Sequence, residues 1–183
     1  MMAASPLASD ICRLTSEAAR RADIVAEART WLGTPYHHMG RVKGVGADCL
    51  TLLICVYENV GLIPLTAVEH YPIDWNLHRD AERYREGVRR FAREIAGPPR
   101  PGDVVLWKFG RCFSHGAIVI EWPQVIHAHM GSVCRLEDAE AAAWLKFIGE
   151  GRRENRGKPR PREFYSLWQM TDARCQMSEG SAR

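Results

Sequence analysis

One cysteine stands where a nucleophile is most easily made, at the junction of a glycine-containing loop and an apolar helix. In the stretch Gly46-Ala47-Asp48-Cys49-Leu50, Asp48 is a natural N-cap and Cys49 falls in the first helical turn. The apolar run that follows ends at Gly61. The positive end of the helix dipole and the free N–H groups there both favour a thiolate, whereas the neighbouring carboxylate disfavours it. The pattern indicates a catalytic cysteine.

The same segment also fits a structural cysteine. Cys49, Val56 and Val60 fall at helical spacing with Leu52 or Leu53, so the thiol could simply begin a core stripe. Catalysis therefore requires a base elsewhere in the chain.

Histidines in the second half of the chain supply candidates for that base and for the group that orients it. His115 begins an apolar strand, and a thiol nucleophile needs an imidazole whose tautomer is fixed by a third polar group. If a three-residue loop over 121–123 joins this strand to the next, His115 pairs with His129, and His127 lies diagonally on the same face. This argument leaves His127 and His129 both eligible as the orienting residue.

The elements that must position these residues change in type along the chain. Helical patterns predict helices from Thr15 or Ser16 to Leu32 and over about 49–60, 78–95 and 139–147. Apolar runs predict strands over 103–107, 115–120, 124–129 and 163–168, with 132–136 as a further candidate. Helices first and an antiparallel sheet afterwards predict an α+β fold.

Length and charge limit the organisation and the class of protein. With 183 residues, the chain suits one domain over 15–169, between a flexible arm at 1–14 and a disordered tail at 170–183. A net charge of +3 does not argue for nucleic acid, and a basic stretch at 151–162 reads as a solvated loop or an anion-binding surface. No membrane-spanning run and no signal peptide are evident, so we expect cytoplasmic synthesis and reduced cysteines.

Five short motifs in order carry a resemblance to the NlpC family of papain-like cysteine peptidases. The resemblance covers about residues 20–147, and it is closest to the branch encoded in phage, prophage and gene-transfer-agent tail clusters. The motifs are Gly33-Thr34-Pro35-Tyr36, Asp48-Cys49, Pro101-Gly102-Asp103, Ser114-His115-Gly116-Ala117-Ile118 and Val125-Ile126-His127-Ala128.

The resemblance implies a papain-like α+β fold, with the nucleophile helix packed on a mainly antiparallel sheet, and a hydrolase that uses no cofactor or metal. It makes Cys49 the nucleophile, His115 the base and His127 the orienting residue, with Tyr36 and Asp48 beside the substrate or the oxyanion. The backbone N–H of Cys49 is the expected oxyanion donor. The implied substrate is an amide bond in the stem peptide of peptidoglycan.

The same resemblance implies a place of action. A phage-type wall peptidase would reach the cell wall within a tail particle and would contact tail-tip proteins, which agrees with the expected lack of a signal peptide. One departure from the family pattern stands next to the nucleophile: Leu50-Thr51 replaces the Ser-Gly of many relatives and the Leu-Gly of the phage branch. Thr51 narrows the room that glycine leaves there.

Other functions remain open. Five zinc-competent side chains lie close together in sequence, although their spacing matches no zinc finger; they are Cys112, His115, His127, His129 and Cys134. The same fold and triad could also serve an acyltransferase or thioesterase, or persist in a structural tail component.

Overall fold

The first part of the chain is mostly helical and the second part mostly strand, as predicted. The computed structural model describes residues 6–73, 82–147 and 161–168. Within them the helices are α1 (Pro6–Arg29), α2 (Cys49–Asn59), α3 (Arg83–Arg89) and α4 (Ala142–Phe147). The strands are β1 (Arg41–Val42), β2 (Gly46–Ala47), β3 (Arg93–Ile95), β4 (Val104–Phe109), β5 (Cys112–Glu121), β6 (Gln124–Ala128), β7 (Cys134–Asp138) and β8 (Arg162–Ser166).

A six-stranded antiparallel sheet forms the centre of the molecule. Its strand order is β3-β8-β4-β5-β6-β7, while β1 and β2 pair separately as a small hairpin just before α2. The consecutive strands β4 to β7 form a meander, because short turns connect each strand to its antiparallel neighbour. The α+β fold class is confirmed.

The two faces of this sheet bury different side chains. Helices α1 and α2 cover one face, where Ile24, Leu52 and Val56 pack against even-numbered strand residues such as Ile118. Helix α4 covers the other face, where Trp144 packs in a cluster of odd-numbered strand residues that includes Val105, Trp107, Ala117, Val119 and Val125. Strand alternation thus decides which residues can approach the nucleophile helix and which lie beneath Trp144.

A buried ion pair joins α1 to the Pro101-Gly102-Asp103 motif. The Arg21 guanidinium donates to Asp103 Oδ1 at 2.9 Å and to the Pro101 carbonyl at 2.7 Å. Gly102 has a φ of +82°, and an added Cβ would lie 2.9 Å from the Ile24 side chain. Loss of one partner of such a pair typically costs about 3–5 kcal/mol. The motif therefore anchors the sheet to α1.

Two predicted boundaries differ from the structure. Helix α1 begins at Pro6, so residues 6–14 of the predicted flexible arm are helical; proline is favoured in a first turn, and no helix-breaking residue follows it before Gly33. The predicted helix over 78–95 ends at Arg89, because residues 93–95 instead pair with β8 at the sheet edge. Tertiary pairing overrides helical periodicity there.

Several predictions fall on residues outside the described ranges. These are the start of the arm at 1–5, the start of the 78–95 helix, most of the basic stretch at 151–162 and the tail at 170–183. Among the described residues, no helix is both long enough and apolar enough to span a bilayer.

Candidate active site

A capping box fixes the start of α2 and therefore the position of Cys49. The Asp48 carboxylate accepts hydrogen bonds from Leu50 N at 3.1 Å and Thr51 N at 2.9 Å. In return, the Asp48 N–H donates to the Thr51 hydroxyl at 2.9 Å. Backbone N–H groups that would otherwise be unsatisfied at the start of the helix are thus paired locally. Thr51 is fully buried in this cap and does not line the cleft, so its side chain does not narrow the space in front of the nucleophile.

The second oxygen of Asp48 ties two loops to the nucleophile. Asp48 Oδ2 accepts from the Met39 N–H at 2.8 Å and from the Tyr71 hydroxyl at 2.5 Å. His38 Nδ1 lies 3.5 Å from the same oxygen, and His38 Nε2 lies 2.7 Å from the Tyr71 carbonyl oxygen. Asp48 is only 2 % exposed. No sequence motif marked His38 or Tyr71, because their role depends on loops that meet only in the folded chain.

The Cys49 thiol lies against the backbone of β5. Its Sγ donates to the Ser114 carbonyl oxygen at 3.8 Å. Burial raises the pKa of the Cys49 thiol to about 12, and the Asp48 charge acts in the same direction. Hydrogen bonds from the Gly116 N–H, the Tyr84 hydroxyl and the Cys49 N–H oppose this shift without reversing it. Burial and the Asp48 charge therefore favour the protonated thiol, whereas the helix dipole alone favours the thiolate.

His115 and His127 form a direct imidazole pair. His115 Nε2 lies 3.0 Å from His127 Nδ1, and the two rings are edge-to-face with centroids 5.1 Å apart. Strands β5 and β6 pair Ile118 with Ile126, the register that the three-residue loop predicted. Of the two eligible residues, His127 makes this contact, while the His129 ring lies 5.8 Å from the His127 ring.

Burial keeps both imidazoles neutral. His115 is 9 % exposed and His127 is 0 % exposed. Desolvation lowers the pKa of His115 to about 3, with a smaller contribution from His129. Desolvation also lowers the pKa of His127, and the nearby His115, His129 and Arg135 act in the same direction. Burial thus favours the neutral form of the thiol and of both imidazoles.

A bulge in β5 lies where the helix and the histidine pair come together. Trp107 pairs with His115 and Lys108 pairs with Phe113, so Ser114 is the extra residue in the ladder. His115 shares the sheet face of Trp107, whereas Cys49 belongs to the helix on the opposite face. They meet at this end of the sheet, where Cys49, Ser114 and His115 line one cleft of about 710 Å³.

Aromatic side chains enclose the histidine pair from the side opposite α2. The Trp144 ring lies 4.8 Å from the His127 ring and 5.9 Å from the His115 ring, centroid to centroid. Phe109 lies 5.4 Å from His115 in the same way. Trp144 shields the contact between the two imidazoles and so strengthens it electrostatically. In the sequence, Trp144 is recognisable only as part of the predicted helix over 139–147.

Two tyrosines lie near the nucleophile. Tyr36, which the family motif indicated, lines the cleft, and burial beside Cys49 and Asp48 raises its pKa, so its hydroxyl remains a donor. Tyr84, which sequence analysis missed, donates to the Cys49 carbonyl oxygen at 3.0 Å. An added Cβ at Gly116 would lie 2.3 Å from the Tyr84 hydroxyl, so glycine is required there.

The candidate zinc ligands lie in different parts of the sheet. Cys112 and Cys134 begin β5 and β7 and are buried, and Cys134 packs in the core beneath α1 and α2. Within the part of the chain that the structure describes, no three His, Cys, Asp or Glu side chains converge as a metal site.

Comparison with models of protein families shows to which family the chain belongs. The model of the NlpC/P60 family matches residues 33–153, which include Cys49, His115 and His127. The chain belongs to the NlpC/P60 family. Membership in NlpC/P60 implies a hydrolase of the cysteine-peptidase type that acts on peptidoglycan.

Solved structures of NlpC/P60 proteins share the fold. NlpC2 from Trichomonas vaginalis is 16 % identical, with a TM-score of 0.52 over 80 % of this chain and 48 % of its own. A lipoprotein-like NLP/P60 protein from Staphylococcus aureus is 22 % identical, with a TM-score of 0.50 over 70 % of this chain and 39 % of its own. This chain thus spans less than half the length of either protein.

A further solved structure is the NlpC/p60 domain of the peptidoglycan hydrolase SagA. It is 25 % identical, with a TM-score of 0.48 over 65 % of this chain and 89 % of its own. Comparison with curated proteins returned no match.

Proposed function

We propose that this protein hydrolyses an amide bond in the stem peptide of peptidoglycan, with Cys49 as nucleophile, His115 as base and His127 as the residue that orients the base. One observation carries the proposal. A cysteine at a capped helix N-terminus shares a cleft with a histidine whose other ring nitrogen is 3.0 Å from a second, buried histidine. This is the arrangement that thiol acyl transfer requires.

The first chemical step begins from the neutral pair. Because His115 Nε2 faces His127, Nδ1 is the nitrogen that acts on the thiol. The thiol gives up its hydrogen bond to the Ser114 carbonyl oxygen and transfers its proton to His115 Nδ1 while Sγ attacks the substrate carbonyl carbon. The resulting imidazolium returns that proton to the leaving amine, and the C–N bond breaks. A thioester on Cys49 remains.

Water then completes the cycle. His115 takes a proton from water, the hydroxide attacks the thioester carbonyl, and the proton returns to the Cys49 sulfur as the carboxylic product leaves. The Cys49 N–H at the helix start is the natural donor to the oxyanion, with the protonated Tyr36 hydroxyl beside it in the same cleft. Asp48 contributes by holding the helix start in place, since both of its oxygens accept hydrogen bonds from the protein.

The test is mass spectrometry of muropeptides incubated with the wild type, Cys49→Ala and Cys55→Ala. Cys55 is a buried thiol on the same helix and is the matched control. We expect stem-peptide fragments from the wild type and from Cys55→Ala, and none from Cys49→Ala. Acyl transfer instead of hydrolysis would appear as joined peptides. A wild-type digest identical to the untreated control would overturn the proposal.

The proposed site of action is a phage or prophage tail particle, in contact with tail-tip proteins, after synthesis in the cytoplasm. The order of the motifs around Cys49 and His115, and the residues within them, resemble this branch of the family and support the proposal. Immunodetection of the protein in purified particles would agree with the proposal. Detection only in the soluble cytosolic fraction would contradict it.

A further inference from the structure

We propose that Glu137 is a positioning residue that fixes the tautomer of His127 and thereby keeps His115 in the form that can accept the thiol proton. This inference rests on the proposed roles of Cys49, His115 and His127. It extends the triad by one carboxylate on the neighbouring strand β7.

Strand register brings Glu137 to His127. Strand β6 pairs with β7 so that His127 lies opposite Arg135 and Val125 lies opposite Glu137. Glu137 is therefore the diagonal neighbour of His127 on the same face of the sheet. His127 Nε2 lies 3.8 Å from Glu137 Oε2, and the Glu137 side chain is only 16 % exposed.

The contacts of the two imidazoles dictate which protons they must carry. To accept the thiol proton at Nδ1, a neutral His115 must carry its own hydrogen at Nε2. That hydrogen is donated to His127 Nδ1, 3.0 Å away, so His127 Nδ1 must be an unprotonated acceptor. A neutral His127 then carries its hydrogen at Nε2, which is the nitrogen that faces the Glu137 carboxylate. The carboxylate stabilises this tautomer over the alternative.

The surroundings of His127 show why the Glu137 carboxylate matters for its tautomer. His127 faces the rings of His115, His129 and Trp144, and Arg135 adds a positive charge nearby. Arg135 Nη2 donates to Glu137 Oε1 at 2.8 Å, and Arg135 Nε pairs with Glu137 Oε2. Arg135 thus orients the carboxylate, and Glu137 supplies the negative charge beside the neutral His127 imidazole.

The contact between Glu137 and His127 also acts during the reaction, when positive charge develops on His115. When His115 takes the thiol proton, its Nε2–H becomes a stronger donor to His127 Nδ1. The stronger donor polarises the His127 ring, and Glu137 stabilises this polarisation at His127 Nε2. No proton needs to move from an imidazole to the carboxylate. The distance of 3.8 Å makes the resting contact an electrostatic one, which a shift of about 1 Å converts into a hydrogen bond.

The experiment combines ¹⁵N NMR of the histidine side chains with steady-state kinetics on Glu137→Ala and Glu137→Gln. Glu140→Gln is the matched control, since this carboxylate is 53 % exposed and pairs with Arg162 instead. In the wild type we expect the His127 signal of an Nε2–H tautomer. In Glu137→Ala we expect mixed tautomers, with kcat lowered roughly 10-fold and KM unchanged, because Glu137 does not touch the substrate. Glu137→Gln keeps an acceptor oxygen, so it should recover part of the Nε2–H tautomer of His127 and part of the lost kcat.

The two readouts separate this inference from the proposed function. An inactive wild type with a tautomer that depends on Glu137 would overturn the peptidase proposal and support the positioning role. An active enzyme whose His127 tautomer and kcat are the same in Glu137→Ala would overturn the positioning role alone. A parallel loss of kcat and of the folded NMR spectrum, without a tautomer change in the remaining folded protein, would also count against it.

Discussion

The helix side of the site (Asp48, Cys49 and Thr51) and its sheet side (His115, His127 and Glu137) are held by contacts of very different reach. On the helix side, a carboxylate and a hydroxyl at most three residues apart close the cap that positions the nucleophile. On the sheet side, the contacts join residues on three strands through ladder register. Cys49 is thus placed mainly by its neighbours in sequence, whereas His115 is placed by the fold.

The largest expected effect comes from removing the base on the sheet side. His115→Gln should lower kcat roughly 1,000-fold or more, since His115 lines the cleft with Cys49 and makes the 3.0 Å contact with His127 Nδ1. His129→Gln is the control and should change kcat less than about 3-fold, well below the usual effect of general-base removal. The measurement is muropeptide turnover. Comparable losses in both variants would mean that the base is misassigned.

The next effect concerns the stability of the helix side. Asp48→Ala removes an acceptor used by Leu50, Thr51, Met39 and Tyr71, and should lower the free energy of unfolding by about 3 kcal/mol. Asp48→Asn keeps one acceptor oxygen and should lose about half as much. Urea unfolding measures both. Equal losses in the two variants would argue against the capping contribution.

Acid should destabilise the sheet side. The ordinary pKa of a histidine is 6.5, and burial lowers the pKa of His115 to about 3. Below pH 6.5 the unfolded chain therefore binds a proton at this histidine that the native state does not bind. Stability is therefore present at neutral pH and is lost as the pH falls from about 6.5 toward 3, with about 2 kcal/mol lost between pH 7 and pH 5 for this group.

Urea midpoints at the two pH values test this effect, with His115→Gln as the comparison. The variant should show a smaller acid loss than the wild type, because the titrating group is absent. An identical acid loss would assign the effect to other groups.

The smallest effect tests Thr51, the residue that departs from the family pattern. Thr51→Ala removes the hydroxyl of the capping box and should lower the free energy of unfolding by about 1 kcal/mol. Turnover per folded molecule should not change, because the side chain points into the cap and away from the cleft. Thr51→Ser is the control that keeps the hydroxyl. A change in KM for Thr51→Ala would show that the residue reaches substrate after all.

Particular residues show why prediction succeeded in some places and failed in others. The α+β class, the capped start of α2 and the diagonal relation of His115 and His127 were predictable, since caps and hairpin register depend on short stretches of chain. The short strand at 93–95 was missed, because its pairing with β8 involves residues about 70 positions away. Tyr71, Tyr84 and Trp144 were missed for the same reason.

The protonation state of the site also depends on the fold. The helix dipole favours a thiolate, but the fold half-buries Cys49 and buries His115, and this desolvation raises the thiol pKa while it lowers the imidazole pKa. Desolvation depends on everything packed around a group, so it cannot be read from the group's neighbours in sequence.

The sequence by itself determined the helix start at Cys49, its cap and the register that puts two histidines on one face, because each follows from local hydrogen bonding or from strand alternation. Only the tertiary structure decided that His127 rather than His129 contacts His115, that the Cys49 thiol lies against the Ser114 carbonyl oxygen, and that Glu137 faces the far nitrogen of His127. Those outcomes depend on a strand bulge, a packed tryptophan and a neighbouring strand, and their positions are set only when distant parts of the chain come together.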